Sequence, residues 1–297
     1  MNYEKLIPSR NTRLKILGLT DFVPDKVMIK IQYWLKTGRL LNLNDPKRYN
    51  EKLQWYKLYY HDPLMTECAD KFRVREYVSS KGLDDILVPL YGVYNDSQEI
   101  EFNTLPNKFV FKTNNGSHTN ILCKDKSKLN FQDTKLVLNS WLNQRTPRAG
   151  REWAYYDIEP KIICEKYLET SNDELIDYKF YCFNGKPSYI KVAKEHKVEG
   201  LQNGIFNMAF EQLPYCRKEV GIINEKIEIP KNFDLMCKVV TKLSEDFPHV
   251  RVDLYNIDGE IFFGELTFYD TSGYQIFEPD EFDFILGELF TLEKMIF

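Results

Sequence analysis

The stretch VRVDLYNIDGEIFFGELTF, residues 250–268, decides how this chain folds. Two runs rich in Val, Leu, Phe and Tyr flank an Ile-Asp-Gly turn, the pattern of a β-hairpin. Each run carries one acid, Asp253 and Glu265, among residues suited to burial. Register determines what those acids can do, because a slip of one residue turns every side chain to the opposite face. A two-residue loop at Asp258 and Gly259 pairs Ile257 with Glu260, and it mixes Arg251, Asp253 and Tyr255 with Phe262, Gly264 and Leu266 on one face. A three-residue loop, with Gly259 at positive φ, pairs Asn256 with Glu260 instead. Val250, Val252, Leu254, Phe262, Leu266 and Phe268 then share an apolar face, and Arg251, Asp253, Tyr255, Glu265 and Thr267 share the polar one. The three-residue loop is therefore the expected one. It makes Asp253 and Glu265 diagonal neighbours, about 7–8 Å apart along the backbone, a separation that two carboxylates bridge through a shared cation. Mg²⁺ suits hard oxygen ligands of this kind. The alternative is an ion pair of Arg251 with Glu265 on a solvated sheet face.

The 297-residue chain is long enough to bury a large core, and its 43% hydrophobic and 28% charged residues are those of an ordinary globular protein. A net charge of −4 supplies no bulk attraction to nucleic acid, and no nucleic-acid partner is expected. The charge is uneven, however. Residues 1–60 hold 12 Lys and Arg against 5 Asp and Glu, leaving 28 against 39 in the remainder. Such a basic segment is suited to a membrane surface or a polyanion. No apolar run approaches the roughly 18 residues of a membrane span, and MNYEKLIPSR lacks the apolar stretch of a signal peptide. A cytoplasmic location is expected, with peripheral contact at the inner membrane face as an option. The six cysteines form no CxxC pair and read as reduced, buried thiols. His61, His118, His196 and His249 are too dispersed for a metal cluster.

Along the chain, residues 24–40 place Val27, Ile31, Trp34 and Leu35 at helical spacing with Lys26, Lys30 and Lys36 among them, a short basic amphipathic helix. That helix either packs its apolar stripe on the core and shows its lysines to water, or meets a membrane. Further helices are expected over 50–60, over 66–81 (Thr66 as N-cap, Gly82 just past the end), over 130–143, 232–246 and 281–294. Strand-like runs occupy the rest, and DYKFYCFNGKPSYIKV at 177–192 is a hairpin turning at Asn184 and Gly185. Strands interrupted by helices, with more than one hairpin, indicate an α+β fold. The divisions expected are a helical basic segment 1–65, a helix with short strands at 66–105, a small lobe at 106–170, and a large lobe with the acid-bearing hairpin at 171–297.

Three further features bear on chemistry. In NKFVFKTNNGSHTNILCKD, Lys112 ends an apolar strand and precedes a polar loop containing Asn114, Gly116 and Ser117. A lysine beside free N–H groups and hydroxyls holds phosphate oxygens, although an ordinary hairpin with a polar turn is the plainer reading. In KIICEKYLE, Glu165 and Lys166 end a buried strand, and Tyr167 and Leu168 supply apolar walls to any adenine placed there. Asp177, Lys179 and Tyr181 alternate onto one face of the next hairpin, where Lys179 either meets a phosphate or is a surface lysine.

The order of these features resembles the ATP-grasp superfamily and, within it, the TupA-like family found with cell-surface polysaccharide genes. The resemblance rests on NEKLQWYKLY (50–59), DKFRVREYV (70–78), GREW (150–153), EKYLE (165–169), DYKF (177–180), FNGKP (183–187) and FPHVRVDLYNIDGEIFFGELTF (247–268). It implies two α+β lobes with ATP between two antiparallel sheets, following a helical N-terminal segment. It places Lys112, Asn114, Gly116, Ser117 and Lys179 with the phosphates, Glu165, Lys166, Tyr167 and Leu168 at the adenine, and Asp253, Glu265 and Thr267 at Mg²⁺. Thr267 stands where the family pattern often has Asn, and His118 and Thr119 stand where small residues are usual. The chain also shows no N-terminal βαβ domain of the sort larger ATP-grasp ligases carry.

The implied reaction is carboxylate–amine ligation through an acyl phosphate, with Lys179 and Arg251 as the catalytic charges. The expected partners are a sugar carboxylate, such as a uronic acid, or a nucleotide- or lipid-linked glycan, together with an amino acid or amine. Arg151 and Arg251 are candidates to grip a carboxylate bidentately, or else are structural ion pairs. Ser272 and Gly273, just past the Glu265 strand, are candidates to approach the substrate, or else form a plain turn. The rivals are a sugar phosphotransferase or glycosyltransferase, and a non-catalytic ATP-binding module.

Overall fold

A computed structural model describes residues 12, 16–116, 119–143, 148–170, 175–196, 200–218 and 220–292. The chain divides into two compact units, one of Pro63–Thr146 with Ala154–Asp173, the other of Met1–Asp62, Pro147–Trp153 and Glu174–Phe297.

In the smaller unit, strands β1 (Leu90–Tyr94), β2 (Phe109–Thr113), β3 (Asn120–Cys123) and β4 (Ile162–Lys166) form an antiparallel sheet in the order β1-β4-β2-β3. Alternation along FVFKT sends Phe109 and Phe111 to one side, where they pack with Cys123, Ile162, Cys164, Phe102 and Leu138 in a closed core. Leu138 comes from the helix Phe131–Leu142, which begins where the Asn130 side chain accepts from the Gln132 and Asp133 N–H groups. The other side of the sheet carries Val110, Lys112, Ile163 and Glu165. The helix expected over 66–81 is instead two, Pro63–Ala69 and Val74–Ser80. Asp70 explains the break, because its carboxylate accepts from the Phe72 and Arg73 N–H groups and draws the chain out of a continuous helix.

In the larger unit the strands are β5 (Asp177–Phe183), β6 (Lys186–His196), β7 (Gly200–Phe206), β8 (Gln212–Leu213), β9 (Cys216–Arg217), β10 (Gly221–Ile222), β11 (His249–Ile257), β12 (Glu260–Thr267) and β13 (Phe277–Glu278). The main sheet runs β10-β7-β6-β5-β11-β12, with β8 beside β7, while β13 pairs β9 separately. All of its pairs are antiparallel except the short β10–β7 pair, which is parallel and modifies the expected all-antiparallel sheet. As the alternation predicts, β5 and β6 turn at Asn184 and Gly185, pairing Phe183 with Lys186.

One face of this sheet is apolar and buried: Phe180, Cys182, Ile190, Val192, Val250, Val252, Leu254 and Leu266. The helix Phe233–Ser244 covers it with Phe233, Met236, Val239, Val240 and Leu243, and the Phe180 and Phe233 rings stack with centroids 6.3 Å apart. Each such side chain contributes about 1.5–3 kcal/mol on burial, so this layer holds the sheet and leaves its other face for polar groups.

The hairpin of residues 250–268 corrects the expected register. Its loop has two residues, Asp258 (φ 55°) and Gly259 (φ 101°), and Ile257 pairs with Glu260. The mixed faces that this loop implies persist only to Leu254, which pairs with Phe263 rather than lying with Phe262. Gly264 is then an extra residue, a β-bulge, and beyond it Asp253 pairs directly with Glu265, Val252 with Leu266 and Arg251 with Thr267. A Cβ at Gly264 would lie 2.9 Å from the Asp253 carbonyl oxygen, so the bulge needs a residue without one.

Helix Asp25–Thr37 presents a face different from the expected one. It buries Met28, Ile29, Gln32 and Tyr33, while Val27 (48%), Ile31 (45%) and Trp34 (52%) stay exposed. Hydrogen bonding selects the face: the Gln32 carboxamide donates to the Ala149 carbonyl at 2.7 Å and accepts from the Tyr274 hydroxyl at 2.8 Å. A count of apolar residues does not register that contribution.

Helix Tyr49–Tyr59 brings Tyr49 into a fully buried aromatic cluster with Phe183, Phe290 and His249. His249 Nδ1 lies 2.9 Å from the Cys182 carbonyl, which only accepts, so Nδ1 carries the proton and Nε2 accepts from the Tyr49 hydroxyl at 2.9 Å. Burial pulls the imidazole pKa down to about 4. The native state therefore binds fewer protons than the unfolded chain between about pH 4 and pH 6.5, and His249 costs stability as pH falls through that window. Asp283, which burial pushes up to about 6, changes stability in the opposite sense across overlapping pH values. The difference between wild type and His249→Phe isolates the imidazole. Urea unfolding at pH 7 and pH 4 is expected to show the wild type's advantage shrinking by about 3 kcal/mol on acidification, and a pH-independent gap would sink the assignment.

Candidate nucleotide and metal site

The polar face of the larger sheet gathers charge from four neighbouring strands. Cross-strand pairing places Lys191 (β6), Lys179 (β5), Asp253 (β11) and Glu265 (β12) in a single row, and the adjacent row holds Tyr181, Arg251 and Thr267. Asp253 accepts from Arg251 Nε at 2.7 Å, from Arg251 Nη2 at 2.6 Å and from Lys179 Nζ at 2.8 Å. Lys179 also binds Asp177. Arg251 reaches across to Asp270, whose second oxygen accepts from Lys191 Nζ at 2.8 Å and from the Tyr181 hydroxyl at 2.7 Å.

These contacts fix the charge states. Burial works against the Asp270 carboxylate, but Lys191 and Arg251 outweigh it and hold the group well below the usual carboxylate range. Burial pulls Lys191 down to about 8, so the pair is ionised at neutral pH. Lys179 has the same desolvation to overcome, and Asp253 and Asp177 raise it above its ordinary value. Asp177 is pushed up to about 6, chiefly by burial, and its Oδ1 has no hydrogen-bond partner among the described residues.

The three residues assigned to a metal come together. Asp253 Oδ2, Glu265 Oε1 and Thr267 Oγ1 converge on Arg251 Nη2 at 2.6, 3.3 and 3.0 Å, so the guanidinium fills the place of a shared cation. Among the described residues no group of three or more His, Cys, Asp or Glu is arranged to hold a metal. Two carboxylates and a hydroxyl are too few to enclose a metal by themselves; hard oxygen donors of this kind suit a cation that takes the rest of its shell from water and phosphate. The alternative reading, Arg251 paired with Glu265, is also present at 3.3 Å, but Asp253 and Asp270 are its nearer partners.

In the smaller unit, Lys112 and Glu165 lie on one face of the sheet and pair at 2.6 Å, with Arg75 Nη1 3.6 Å from the same carboxylate. Asn114 is fully buried, and its side chain is engaged inside the fold: it donates to Asp70 and to the Glu159 carbonyl and accepts from the Lys161 N–H. Its carboxamide is a crosslink within this unit. The Thr113 and Thr119 hydroxyls lie 2.6 Å apart, and the Gly116 carbonyl accepts from Lys71. Ser117 and His118 lie outside the described residues. Lys166 is exposed, and Tyr167 and Leu168 are half-buried.

Of the substrate candidates, Arg151 is buried, with its guanidinium on the Asp25 carboxylate and the Thr20 carbonyl, both at 2.8 Å. Nη1 and Nη2 serve a structural pair, while the buried Nε has no hydrogen-bond partner among the described residues. Ser272 and Gly273 belong to a turn in which Thr271, Ser272 and Gly273 all have positive φ (52°, 55° and 65°). Two successive non-glycine residues in this region are strained, by about 1–3 kcal/mol each, and such strain clusters at functional loops. The turn is held by Gln54 and Lys57, which donate to the Ser272 carbonyl at 3.0 and 2.7 Å, and the Ser272 hydroxyl bonds Glu152.

Sequence reasoning missed Asp270, Lys191 and Arg75. Lys191 leaves the simple alternation because β6 has an irregularity opposite Tyr181 and Cys182. Asp270 lies beyond the strand end, where no periodicity marks it.

Three solved structures illustrate the similarity. D-alanine–D-alanine ligase from Bacillus anthracis, complexed with ATP, is 15% identical, with a TM-score of 0.39 over 67% of this chain and 53% of that one. The Helicobacter pylori D-alanine–D-alanine ligase is 12% identical, with a TM-score of 0.41 over 75% and 61%. The ATP-grasp ligase PsnB, with a phosphomimetic variant of its minimal precursor, Mg and ADP, is 13% identical, with a TM-score of 0.41 over 81% and 63%. The chain thus spans less than two thirds of the length of each. No curated protein matches it. The TupA-like ATP-grasp family model, in contrast, matches residues 51–291, well over half of the sequence and both units. This chain belongs to the TupA-like ATP-grasp family.

Proposed function

We propose that this protein is an ATP- and Mg²⁺-dependent carboxylate–amine ligase that amidates a uronic-acid sugar during cell-surface polysaccharide synthesis. The observation that carries the reading is the row Lys191, Lys179, Asp253 and Glu265, with Arg251 beside it, on the polar face of an ATP-grasp sheet. Asp253 and Glu265 would hold the metal, with the Thr267 hydroxyl beside them. The metal supplies charge neutralisation on the transferring phosphoryl group. Lys179 and Arg251 add fixed positive charge where the leaving diphosphate gathers negative charge.

A sugar carboxylate oxygen attacks the γ-phosphorus, the bond to the β-phosphate bridging oxygen breaks, and ADP leaves. The amine then attacks the acyl phosphate carbonyl, phosphate departs with the C–O bond, and the nitrogen loses a proton. No side-chain nucleophile is required, and the residues' work is positioning and charge. The strained turn at Thr271–Gly273 is a suitable place for the acceptor because its backbone is held rigid.

The test is incubation with ATP, Mg²⁺, hydroxylamine and a panel of uronic acids. Hydroxamate and ADP in equal amounts are expected. ADP with a phosphosugar would make the protein a phosphotransferase instead, and tight ATP binding without turnover would make it a binding module.

A further inference from the structure

Helix Asp25–Thr37 is apolar on two opposite sides, and only one of them is packed. At 100° per residue, Met28, Ile29, Gln32 and Tyr33 face the unit's interior, while Val27, Ile31 and Trp34 stand on the far side, each about half exposed. Lys26 and Lys30, both exposed, lie along one edge of that outer stripe. The turn leading into the helix adds Leu19 at 76% and Phe22 at 85% exposure. These residues stand on ordered backbone: Arg151 holds the turn by the Thr20 carbonyl and the helix start by Asp25, and Val23 N–H donates to the Thr20 carbonyl at 2.9 Å.

Single exposed apolar residues are ordinary, but Trp, Phe, Leu, Ile and Val gathered on one short segment are not. The composition narrows what covers them. Exposed lysines beside a Trp- and Phe-bearing stripe are the pattern of a helix lying in the headgroup layer of a membrane, with rings and aliphatic chains among the acyl chains and ammonium groups at the phosphates. Charge agrees locally: Lys26 and Lys30 are exposed beside the stripe, whereas Arg39 and Arg48 further along are taken up by Asp280 and Lys57 is buried. Of the two acids nearest the stripe, Asp25 is neutralised by Arg151, leaving Asp21. An anionic surface would therefore attract this helix edge through Lys26 and Lys30.

We infer that the outer face of helix Asp25–Thr37, with Leu19 and Phe22, is a docking surface for an anionic phospholipid bilayer. It binds reversibly, since no helix among the described residues is long and apolar enough to cross a membrane. The surface serves a reaction on membrane-associated glycans, but its existence does not depend on that reaction.

Co-sedimentation with vesicles tests it without any turnover. The full chain is expected to bind phosphatidylcholine vesicles containing phosphatidylglycerol, to ignore pure phosphatidylcholine, and to release as salt rises. Lys26→Glu with Lys30→Glu should weaken partitioning at least about thirtyfold, and Phe22→Ser with Trp34→Ser should abolish it, with the urea midpoint unchanged because all four residues are exposed. The part of the fluorescence lost in Trp34→Phe should shift to the blue on binding. No binding to anionic vesicles overturns the inference, as does binding that these variants leave intact. A monomer whose Trp34 is already shielded from iodide, or a dimer that shields it, assigns the face to the chain itself or to a second copy and likewise overturns it.

Discussion

Asp253→Asn is expected to lower ATP-dependent hydroxamate formation about a thousandfold and to remove the Mg²⁺ dependence of ATP binding. Asparagine keeps the shape of the side chain but removes the charge that faces Arg251 and Lys179 at 2.6 and 2.8 Å. If the carboxylate helps to hold a cation against ATP phosphates, its loss takes away several kcal/mol of charge stabilisation at the transferring group, enough for a factor of this size. The fold is expected to survive, since Arg251 retains Asp270 and Glu265, and Lys179 retains Asp177. Calorimetric titration of the variant with ATP, with and without Mg²⁺, separates the two readings of the hairpin. A merely structural pair predicts a less stable protein with unaltered Mg²⁺ dependence and normal turnover, and that result would falsify the metal assignment. The hydroxylamine assay on wild type decides the reaction class independently, so failure of the site and failure of the proposed chemistry are distinguishable.

Asp270→Asn is expected to be the most destabilising single charge removal in the larger unit, by about 4 kcal/mol. Its carboxylate is 3% exposed and neutralises two side chains nearly as buried, Arg251 at 8% and Lys191 at 5%. The substitution takes from Lys191 its one carboxylate partner among the described residues and from Arg251 one of three, and a buried charge without its partner costs far more than a complete pair contributes. The pH dependence has a definite sign. Because the folded carboxyl is held well below its ordinary value, the native state binds fewer protons than the unfolded chain at acid pH. The contribution of Asp270 is thus fully present above the normal carboxylate range and is lost as pH falls below about 4. Urea unfolding should show a constant gap between wild type and variant from neutral pH down to about 5, unlike the gap attributed to His249, which changes between about 4 and 6.5. A cost below about 1 kcal/mol would mean that the cluster is solvated and the charges independent.

Both predictions concern a cluster that was partly visible in the amino-acid order. Period-two alternation marks Asp177 and Lys179 as one face of the first hairpin and Arg251, Asp253, Glu265 and Thr267 as one face of the second, and the pairing of β5 with β11 joins the two. The hairpin nevertheless reaches that face by a two-residue loop and a bulge, not by the expected three-residue loop. A longer loop and a bulge both restore the face of β12 that alternation demands, and alternation cannot tell them apart. Gly264 carried the distinguishing signal, an isolated glycine inside a strand, since only a residue without Cβ admits the Asp253 carbonyl there. The bulge moves Asp253 and Glu265 from diagonal to direct partners, which tightens the pair.

Local chemistry, then, is written in the sequence: strands and their faces from alternation, the Asn184–Gly185 turn from residues that tolerate positive φ, and the acid-bearing hairpin itself, whereas Thr66, expected to cap a helix, lies inside one that starts at Pro63. What joins distant segments was decided only by tertiary structure. Asp270 anchors Arg251, Lys191 and Tyr181 from beyond a strand end, Arg151 closes on a helix more than a hundred residues away, and Gln32 turns its helix by bonding Ala149 and Tyr274. Periodicity reports a side chain's direction relative to its own backbone, whereas these contacts depend on which other segment lies across the gap. That is settled when buried polar groups find partners, because leaving one unpaired costs about as much as a core side chain contributes.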